Sequence, residues 1–574
     1  MSHFLFSQGY TILSTGGTYR HIYDNLPEGQ SPDSLIQVSD FTGFPEILGG
    51  RVKTLHPKIY GGLLWDGRFN CNGIDKIDIV VVNLYPFEEK IKDENITEDI
   101  AIENIDIGGV SLIRAASKNF KNVRLLVDPA DYEYVCNNWD STNMYFYRKN
   151  QAIKGFDMVT RYDAAITNYF SGDIIYRKYT RTSGLKYGCN PYQDNAAIYK
   201  INNRSVPFDI LNGSPGYINL LDAINSWMLV TELSRTVDRV AASSFKHTSP
   251  AGVAISMDLF TNTERLIYDI ENMDLSGSPS ADAFIRARNC DPLSSFGDFI
   301  AISGTADELC ARLIGREVSD GIIAQDYTPE ALNILKKKKG GKYIVLRGDP
   351  EFSYQDCEFR ELMGMALSQR SNDAILEETD ITNIVTNNTK LSETAKLDMV
   401  LSTITLKYTP SNSIAIAHNG SILGVGAGQQ NRVDCIKLAG RKADVWRLRR
   451  HPRVLAIYSL FKSTLKRPEK INAITQFING NLTETETEQL QECFTEDVVP
   501  LSEAEKTSFL NTADDITLSS DAFMPFRDNV DTAAKFQVRN IIQPGGSNGD
   551  ASVIEACDQY NMIMSLTGKR FFLH

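Results

Sequence analysis

A lysine directly followed by a histidine puts a fixed cation beside a proton acceptor. The chain holds such a pair at Lys246-His247, within SSFKHTSPAG (Ser243–Gly252). An apolar lead-in (Val240–Ala242) precedes the stretch, and a second apolar run (Val253–Ile255) follows. Ser249-Pro250 predicts a turn, because proline fixes φ and pushes the residue before it out of the helical region. Lys246 and His247 are then expected where a strand gives way to a loop. Successive side chains on a strand point to opposite faces, so a bend is needed for both to face one substrate. Beside a fixed ammonium an imidazole favours its neutral, proton-accepting form. The ammonium itself can stabilise developing oxyanion charge. An arbitrary Lys-His pair is more often a surface lysine beside a hydrogen-bonded histidine. Here only 7 His occur in 574 residues, and the flanking sequence shifts the weighting toward chemistry.

Those flanks carry a resemblance. SSFKHTSPAG resembles the transformylase signature of the bifunctional AICAR transformylase/IMP cyclohydrolase family of purine biosynthesis. Further matching stretches follow in family order: LKYGCNPYQ (Leu185–Gln193), LNGSPGYINLLDA (Leu211–Ala223), DPLSSFGDFIA (Asp291–Ala301) and REVSDGIIA (Arg316–Ala324). KYTPSNS (Lys407–Ser413), GAGQQNRVDC (Gly426–Cys435) and SSDAFMPFRDNVD (Ser519–Asp531) complete the series, so the resemblance spans nearly the whole chain. It implies formyl transfer from 10-formyltetrahydrofolate to the 5-amino group of AICAR, then closure of formyl-AICAR to IMP with loss of water. It implies that His247 helps remove the amine proton, while Lys246 and Asn412 stabilise the tetrahedral centre and the departing cofactor nitrogen. It also implies a homodimer whose transformylase site lies across the subunit interface.

The bulk numbers agree with a multidomain globular chain. Its 574 residues exceed one core, and 42% hydrophobic with 23% charged residues is ordinary composition. A net charge of −13 argues against a nucleic-acid partner bound by bulk electrostatics, though not against small anions at locally basic sites. No apolar run reaches membrane-spanning length and no signal-peptide pattern opens the chain, so no membrane partner is expected. Nine Cys occur singly with no CxxC pair, which predicts reduced thiols in the cytosol.

The N-terminal stretch alternates strand, glycine loop and helix, predicting a doubly wound parallel sheet. Tyr10–Leu13 reads as a strand and Ser14–Thr18 as a loop, in which Ser14, Gly16 and Gly17 could bring backbone N–H groups to an anion. Phe41–Leu64 sets Arg51, Lys53, His56 and Lys58 between glycine pairs, which suits a phosphate. Ile77–Phe87 reads as a buried strand ending in Asn83 and Tyr85 at the sheet's carboxyl edge. Asn104–Phe120 reads as a loop leading into a helix, with Gly108-Gly109 ahead of it. The resemblance makes this region the cyclohydrolase domain, with a methylglyoxal-synthase-like fold. It places Lys53, Tyr85, Asp106 and Lys118 on active-site positions, and Arg51, Thr54, Gly108 and Gly109 on nucleotide-binding ones. Family members begin with a strand and a Ser-x-x-Asp-Lys-Thr-Gly loop, whereas this chain starts about one strand and one loop later. Met1–Gln8 then reads as the end of the helix after that loop, and an open sheet edge is expected beside it.

The expected domains are 1–176 (cyclohydrolase), a polar linker at 177–184, and 185–574 (transformylase). The last is expected to form two related α/β lobes, which the resemblance makes cytidine-deaminase-like. Lys186 and Tyr192 stand where the family usually shows Arg and His; a lysine still neutralises phosphate but lacks the bidentate fork. The resemblance adds Tyr187, Asn219, Ser295, Phe296 and Gly297 as binding residues and Asp320, read at a turn, as a site residue. KKKKGG (Lys336–Gly341) reads as a solvated helix end. Asn419-Gly420 predicts a hairpin, with His418 facing solvent. The glycines of GVGAGQQ permit close approach to a ligand, and the resemblance carries over Arg432 beside them. Phe523 offers a stacking face for a pterin or purine. The resemblance adds Asp528 and the C-terminal Arg570 and His574, the last two near the nucleotide phosphate.

No HxE…PCxxC signature is present, so no catalytic metal is expected, while the resemblance allows a structural potassium ion. Two other readings stay open: a transformylase with an inactive N-terminal domain, and a non-enzymatic nucleotide-binding regulator.

Overall fold

The computed structural model describes every residue except 71–72, 141–143, 203, 258, 353–355 and 513–514. The chain divides into two compact units, Met1–Lys178 and Tyr179–His574.

In the first unit, short apolar runs pair in parallel. Strand β1 (Ile12–Ser14) pairs with β2 (Leu35–Gln37), and β3 (Ile79–Val81) pairs with β4 (Arg124–Leu126). Helices Gly16–Asp24, Pro57–Leu64, Gly108–Lys118 and Met144–Ser171 alternate with them, giving the expected α/β class. Val38, Leu63, Val80, Ile113, Leu125 and Val159 form one core. The strand pairing departs from a single wound sheet: among the described residues no ladder joins β1–β2 to β3–β4. The same fact explains why Ile77–Phe87 is not buried throughout. Only Ile79–Val81 is strand, paired on one side alone, and Val81 is 38% exposed. The first glycine loop is also shorter than its reading. Gly16-Gly17 open a helix instead of extending a loop, with Gly16 at φ 47°.

The second unit begins with an exposed antiparallel pair, β5 (Tyr179–Gly184) with β6 (Ala197–Ile201). The stretch read as linker is therefore strand from residue 179. Tyr179, Thr180 and Thr182 suit a pleated backbone, and the polar composition reflects its exposure. The unit's main sheet uses β7 (Phe208–Asn212), β8 (Ala241–Lys246), β9 (Ser249–Ile255), β10 (Asp298–Ala306), β11 (Ser319–Tyr327) and β12 (Ile344–Gly348). A separate hairpin, β13 (Cys357–Leu362) and β14 (Met365–Arg370), comes next. The sheet then resumes with β15 (Ile414–His418), β16 (Ser421–Gly426), β17 (Ile516–Ser520), β18 (Val538–Gln543) and β19 (Ile563–Leu566).

Its order is β19-β18-β17-β15-β16-β9-β8-β10-β11-β12-β7. The two halves repeat one topology. In each, an antiparallel hairpin (β8–β9 or β15–β16) is followed by three parallel strands, the first antiparallel to the hairpin's opening strand. The halves join through antiparallel β9 and β16, at Ala254 opposite Ser421. The two related lobes thus share one continuous sheet. Helices Tyr217–Val237 and Glu393–Lys407 bury Leu229 and Leu401 in one core, together with Phe245, Val253 and Ile422. Helices Pro279–Arg288 and Arg432–Leu448 contribute to two further cores. Each fully buried Leu or Phe contributes roughly 1.5–3 kcal/mol.

The first hairpin turns at His247-Thr248 (φ 55° and 58°), two residues earlier than the Ser-Pro signal indicated. Ser249 and Pro250 lie inside β9. Proline is tolerated because its partner Phe245 sits at a register shift in the ladder. The second hairpin turns at Asn419-Gly420 as predicted, both residues left-handed. His418 does not simply face solvent: it is half-buried against Trp446, with Nδ1 3.3 Å from the Asp515 carbonyl.

Candidate functional site

Strand register carries the predicted residues of the second unit to one end of the sheet. Phe245 pairs with Phe299 and Asp298 with Ser319, so the close of β8 and the starts of β10 and β11 share an end. β9 and β16 run antiparallel from Ala254–Ser421, which sets Ser249 and Gly426 at that end. Gly426 pairs with Ile414 and Ile414 with Ser520, extending it to Asn412 and Asp521. The hairpin tip and the Asn412 segment are thus about two strand spacings apart, about 10 Å.

The first cluster surrounds the tip. Lys246 Nζ donates to the Phe296 carbonyl at 2.6 Å, and His247 is exposed beside it. Asp222, on the Tyr217–Val237 helix, accepts the Thr248 amide at 2.7 Å. Burial pushes its carboxyl up, against the Thr248 amide. One turn earlier on the same helix, Asn219 accepts the Gly216 amide at 3.0 Å and lies 3.5 Å from Asp320. Asp320 is the second residue of β11, not a turn residue, because the bend precedes it; it pairs with Lys339 at 2.7 Å.

The lysine run is accordingly not all solvated. Lys338 donates to the carbonyls of Ile314 and Glu317, and burial lowers its ammonium to about 8. Below the tip, burial raises Asp298 to about 6 despite Arg288 at 3.3 Å. Ser244 donates to Asp298 (2.6 Å), and its oxygen lies 2.8 Å from the Ser295 hydroxyl, from which it can accept. Ser295 is therefore fully buried and shapes the Phe296–Gly297 loop from within; Gly297 sits at φ 75°, while Phe296 is exposed.

The second cluster centres on Arg432, the first residue of its helix and itself buried. Its Nη1 donates to Asp521 (2.6 Å) and Ser520 (2.8 Å), and its Nη2 to the Asn412 side-chain oxygen (2.9 Å). The other end of the Asn412 amide donates to the Gln429 carbonyl at 3.1 Å. The C-terminal tail joins this cluster. Ser411 and Leu573 exchange hydrogen bonds at 3.0 and 3.1 Å, and the Phe571 amide donates to the Asp521 carbonyl at 2.9 Å. Arg570 and His574 flank Phe572, with Arg570 4.6 Å from its ring centre. Phe523 is exposed nearby, and Asp528 opens the next helix.

The glycines of GVGAGQQ do not all serve a ligand. A Cβ on Gly424 or Gly426 would collide with backbone carbonyls of Ala439 or Cys435, so these two let the Arg432–Leu448 helix pack on β16. Lys186 lies 5.6 Å from the Tyr187 ring centre, and Tyr192 is exposed. A cleft of about 1020 Å³, lined by Asn289, Lys442, Trp446, Arg449 and Arg467, takes none of the predicted residues. Among the described residues no three His, Cys, Asp or Glu gather as metal ligands, and no helix is long and apolar enough to cross a membrane.

In the first unit the structure brings together part of the predicted set. The Gly109 amide donates to the Asp106 carboxylate at 2.7 Å, and the Asp106 amide donates to the Tyr162 hydroxyl at 2.9 Å. A Cβ on Gly108 would meet Thr54 Oγ1 at 2.7 Å. Gly108 and Gly109 are the first residues of their helix rather than a loop before it. Lys53 Nζ lies 3.9 Å from both Glu46 and a Cβ built on Gly16. Ser14 closes β1 on the way to that helix start. Arg51 pairs with Glu103, Asn83 accepts from Tyr132 at 3.3 Å, and Tyr85 and Lys118 are exposed.

Asp222, Lys339 and Asp521 escaped the sequence reading. Asp222 and Asp521 lay within quoted motifs but carried no turn or charge pattern, and Lys339 was hidden in a run of like residues.

Two α/β units, the larger built on a duplicated sheet with lysine, histidine, arginine and amide side chains gathered at one end, define a two-domain α/β protein. Residues 116–442, more than half of the chain, match the family model AICARFT/IMPCHase bienzyme, and residues 2–111 match MGS-like domain. The chain belongs to the AICARFT/IMPCHase bienzyme family. Three relatives are each called "Bifunctional purine biosynthesis protein PurH". The one from Thermoanaerobacter sp. (strain X514) is 33% identical over 99% of this chain and 95% of its own length. Those from Clostridium botulinum and Leptospira biflexa are each 32% identical over 100% of this chain, covering 97% and 96% of theirs. A solved structure titled "Crystal structure of ForH" is 29% identical over 30% of this chain and 90% of that one, with a TM-score of 0.26.

Proposed function

We propose that the chain carries out the last two steps of IMP formation: formyl transfer from 10-formyltetrahydrofolate to AICAR, then cyclisation of formyl-AICAR to IMP. The family and its full-length relatives support both steps. The observation that carries the residue-level reading is the convergence of Lys246, His247 and Asn412 on one sheet end. His247 accepts the proton that the AICAR amine loses on attacking the formyl carbon. Lys246, tethered by the Phe296 carbonyl, faces the oxyanion. Asn412, clamped by Arg432, orients the formyl group or the leaving cofactor nitrogen. Arg570 supplies positive charge and His574 a ring nitrogen for the nucleotide phosphate, and Phe523 an aromatic face for a ring.

In the first unit, Asp106, Lys53 and Lys118 handle protons, Tyr85 holds the formyl oxygen, and Gly108-Gly109 with Thr54 and Arg51 receive the phosphate. Neither step draws on a catalytic metal in this reading. The reducing cytosol suits the free thiols found at every described cysteine.

We further propose a homodimer, supported by the β13–β14 hairpin. Met363 is 99% exposed, Met365 63% and Leu367 58%, and an isolated two-stranded hairpin is marginal in water without a partner. The test is one reaction of purified protein with AICAR and 10-formyltetrahydrofolate, products separated by chromatography. IMP is expected; formyl-AICAR alone removes the cyclohydrolase, and neither product from folded protein removes the enzyme.

A further inference from the structure

The duplicated sheet offers an internal comparison of its two hairpins. Both turn through two residues with positive φ, a conformation that favours Asn-Gly. The second hairpin has that pair, Asn419-Gly420. The first has His247-Thr248, and a β-branched residue at φ 58° is a genuine outlier. Such strain persists only where surrounding structure holds it.

In both halves the holding group is an aspartate on the helix that packs against the hairpin. Asp398 accepts the Asn419 and Gly420 amides, both at 2.8 Å. Asp222 accepts the Thr248 amide at 2.7 Å, and the His247 amide acts on the same carboxylate. Both aspartates are buried. The Asn-Gly turn adopts its shape by its own preference, so Asp398 only reinforces it. The His-Thr turn does not, and His247 takes its direction from that turn.

We infer that Asp222 is a positioning residue for formyl transfer, holding the strained His247-Thr248 turn so that the imidazole meets the substrate amine. This rests on the reading of His247 as the proton acceptor. The strained pair keeps a histidine at the tip where sequence preference would place Asn or Gly, and the buried carboxylate offsets the strain.

The experiment compares Asp222→Asn, Asp398→Asn, Thr248→Gly and the Asp222→Asn/Thr248→Gly double variant in the full-length chain, with His247→Ala as reference. Turnover is expressed per folded chain, with folding measured by thermal melting. Asp222→Asn is expected to lower kcat about tenfold or more with KM for AICAR little changed, since small misplacements of a reacting group cost up to about 100-fold. Asp398→Asn is expected to melt lower but keep its kcat. Thr248→Gly removes the β-branched outlier, so adding Asp222→Asn to it is expected to cost less in kcat than in the parent chain. Undiminished kcat in Asp222→Asn, equal kcat losses in the two aspartate variants, or an undiminished loss on the Thr248→Gly background would overturn the inference. Should Asp222→Asn fail to fold, the step from Thr248→Gly to the double variant is expected to cost less than about tenfold in kcat, and a larger loss there would overturn the inference. Full activity in His247→Ala would instead remove the reading on which the inference stands.

Discussion

Arg432 gives the sharpest test of how the second cluster works. Its guanidinium divides two tasks between two nitrogens. Nη1 neutralises Asp521, which has no solvent exposure, and Nη2 holds the Asn412 oxygen at 2.9 Å. Arg432→Met removes both and leaves a buried carboxylate without its cation, a change that costs about 3–5 kcal/mol. Arg432→Lys keeps a cation for Asp521 but loses the planar fork, so the Asn412 hydrogen bond goes at about 1 kcal/mol. The two variants should therefore differ by several kcal/mol in stability, yet both should lose formyl transfer. On the proposed role of Asn412, an amide freed to rotate would leave the reacting group misaligned, for which about 100-fold in kcat is the expected scale. The assay pairs denaturant unfolding of the second unit with formyl-AICAR formation. Arg432→Lys as unstable as Arg432→Met would refute the division of tasks. Arg432→Lys with undiminished turnover would refute the positioning of Asn412 by Arg432.

Three further outcomes are expected. Burial raises the Asp444 carboxyl to about 7, against about 3.9 for an unfolded aspartate, so its stabilising contribution is complete below the lower value and lost as pH rises through the upper. Asp444→Asn should thus melt increasingly above wild type from about pH 4 to about pH 8; a pH-independent difference rejects this. Gly426→Ala should lower the melting temperature and reduce formyl transfer, because the new Cβ pushes the Arg432 helix off β16; unchanged melting would contradict the packing role. Met365→Asp with Leu367→Asp should shift sedimentation toward monomer if the exposed hairpin seats a second copy, and a retained dimer excludes that arm from the interface.

Much of the second unit's site was legible because its residues sit in dense motifs with local signals. Asn419-Gly420 specified its hairpin through φ preference alone. Lys246-His247 was placed at a strand end correctly, but the turn was assigned to Ser249-Pro250, the stronger punctuation, since nothing local announces a left-handed His-Thr pair. The first unit was less legible. An apolar run such as Ile77–Phe87 looks the same whether one or both edges are paired, and Val81 became exposed only because β3 found a single partner.

The sequence by itself determined the α/β class, the Asn-Gly turn and the family, because propensity, periodicity and motif spacing are local quantities. Only the tertiary structure decided which charges are spent on one another. Arg432 on Asp521, Lys339 on Asp320 and Asp222 on the hairpin tip join residues 89, 19 and 26 positions apart. Strand order and register set those meetings, and burial decides whether the charge each residue carries is left for a substrate or consumed in holding the site.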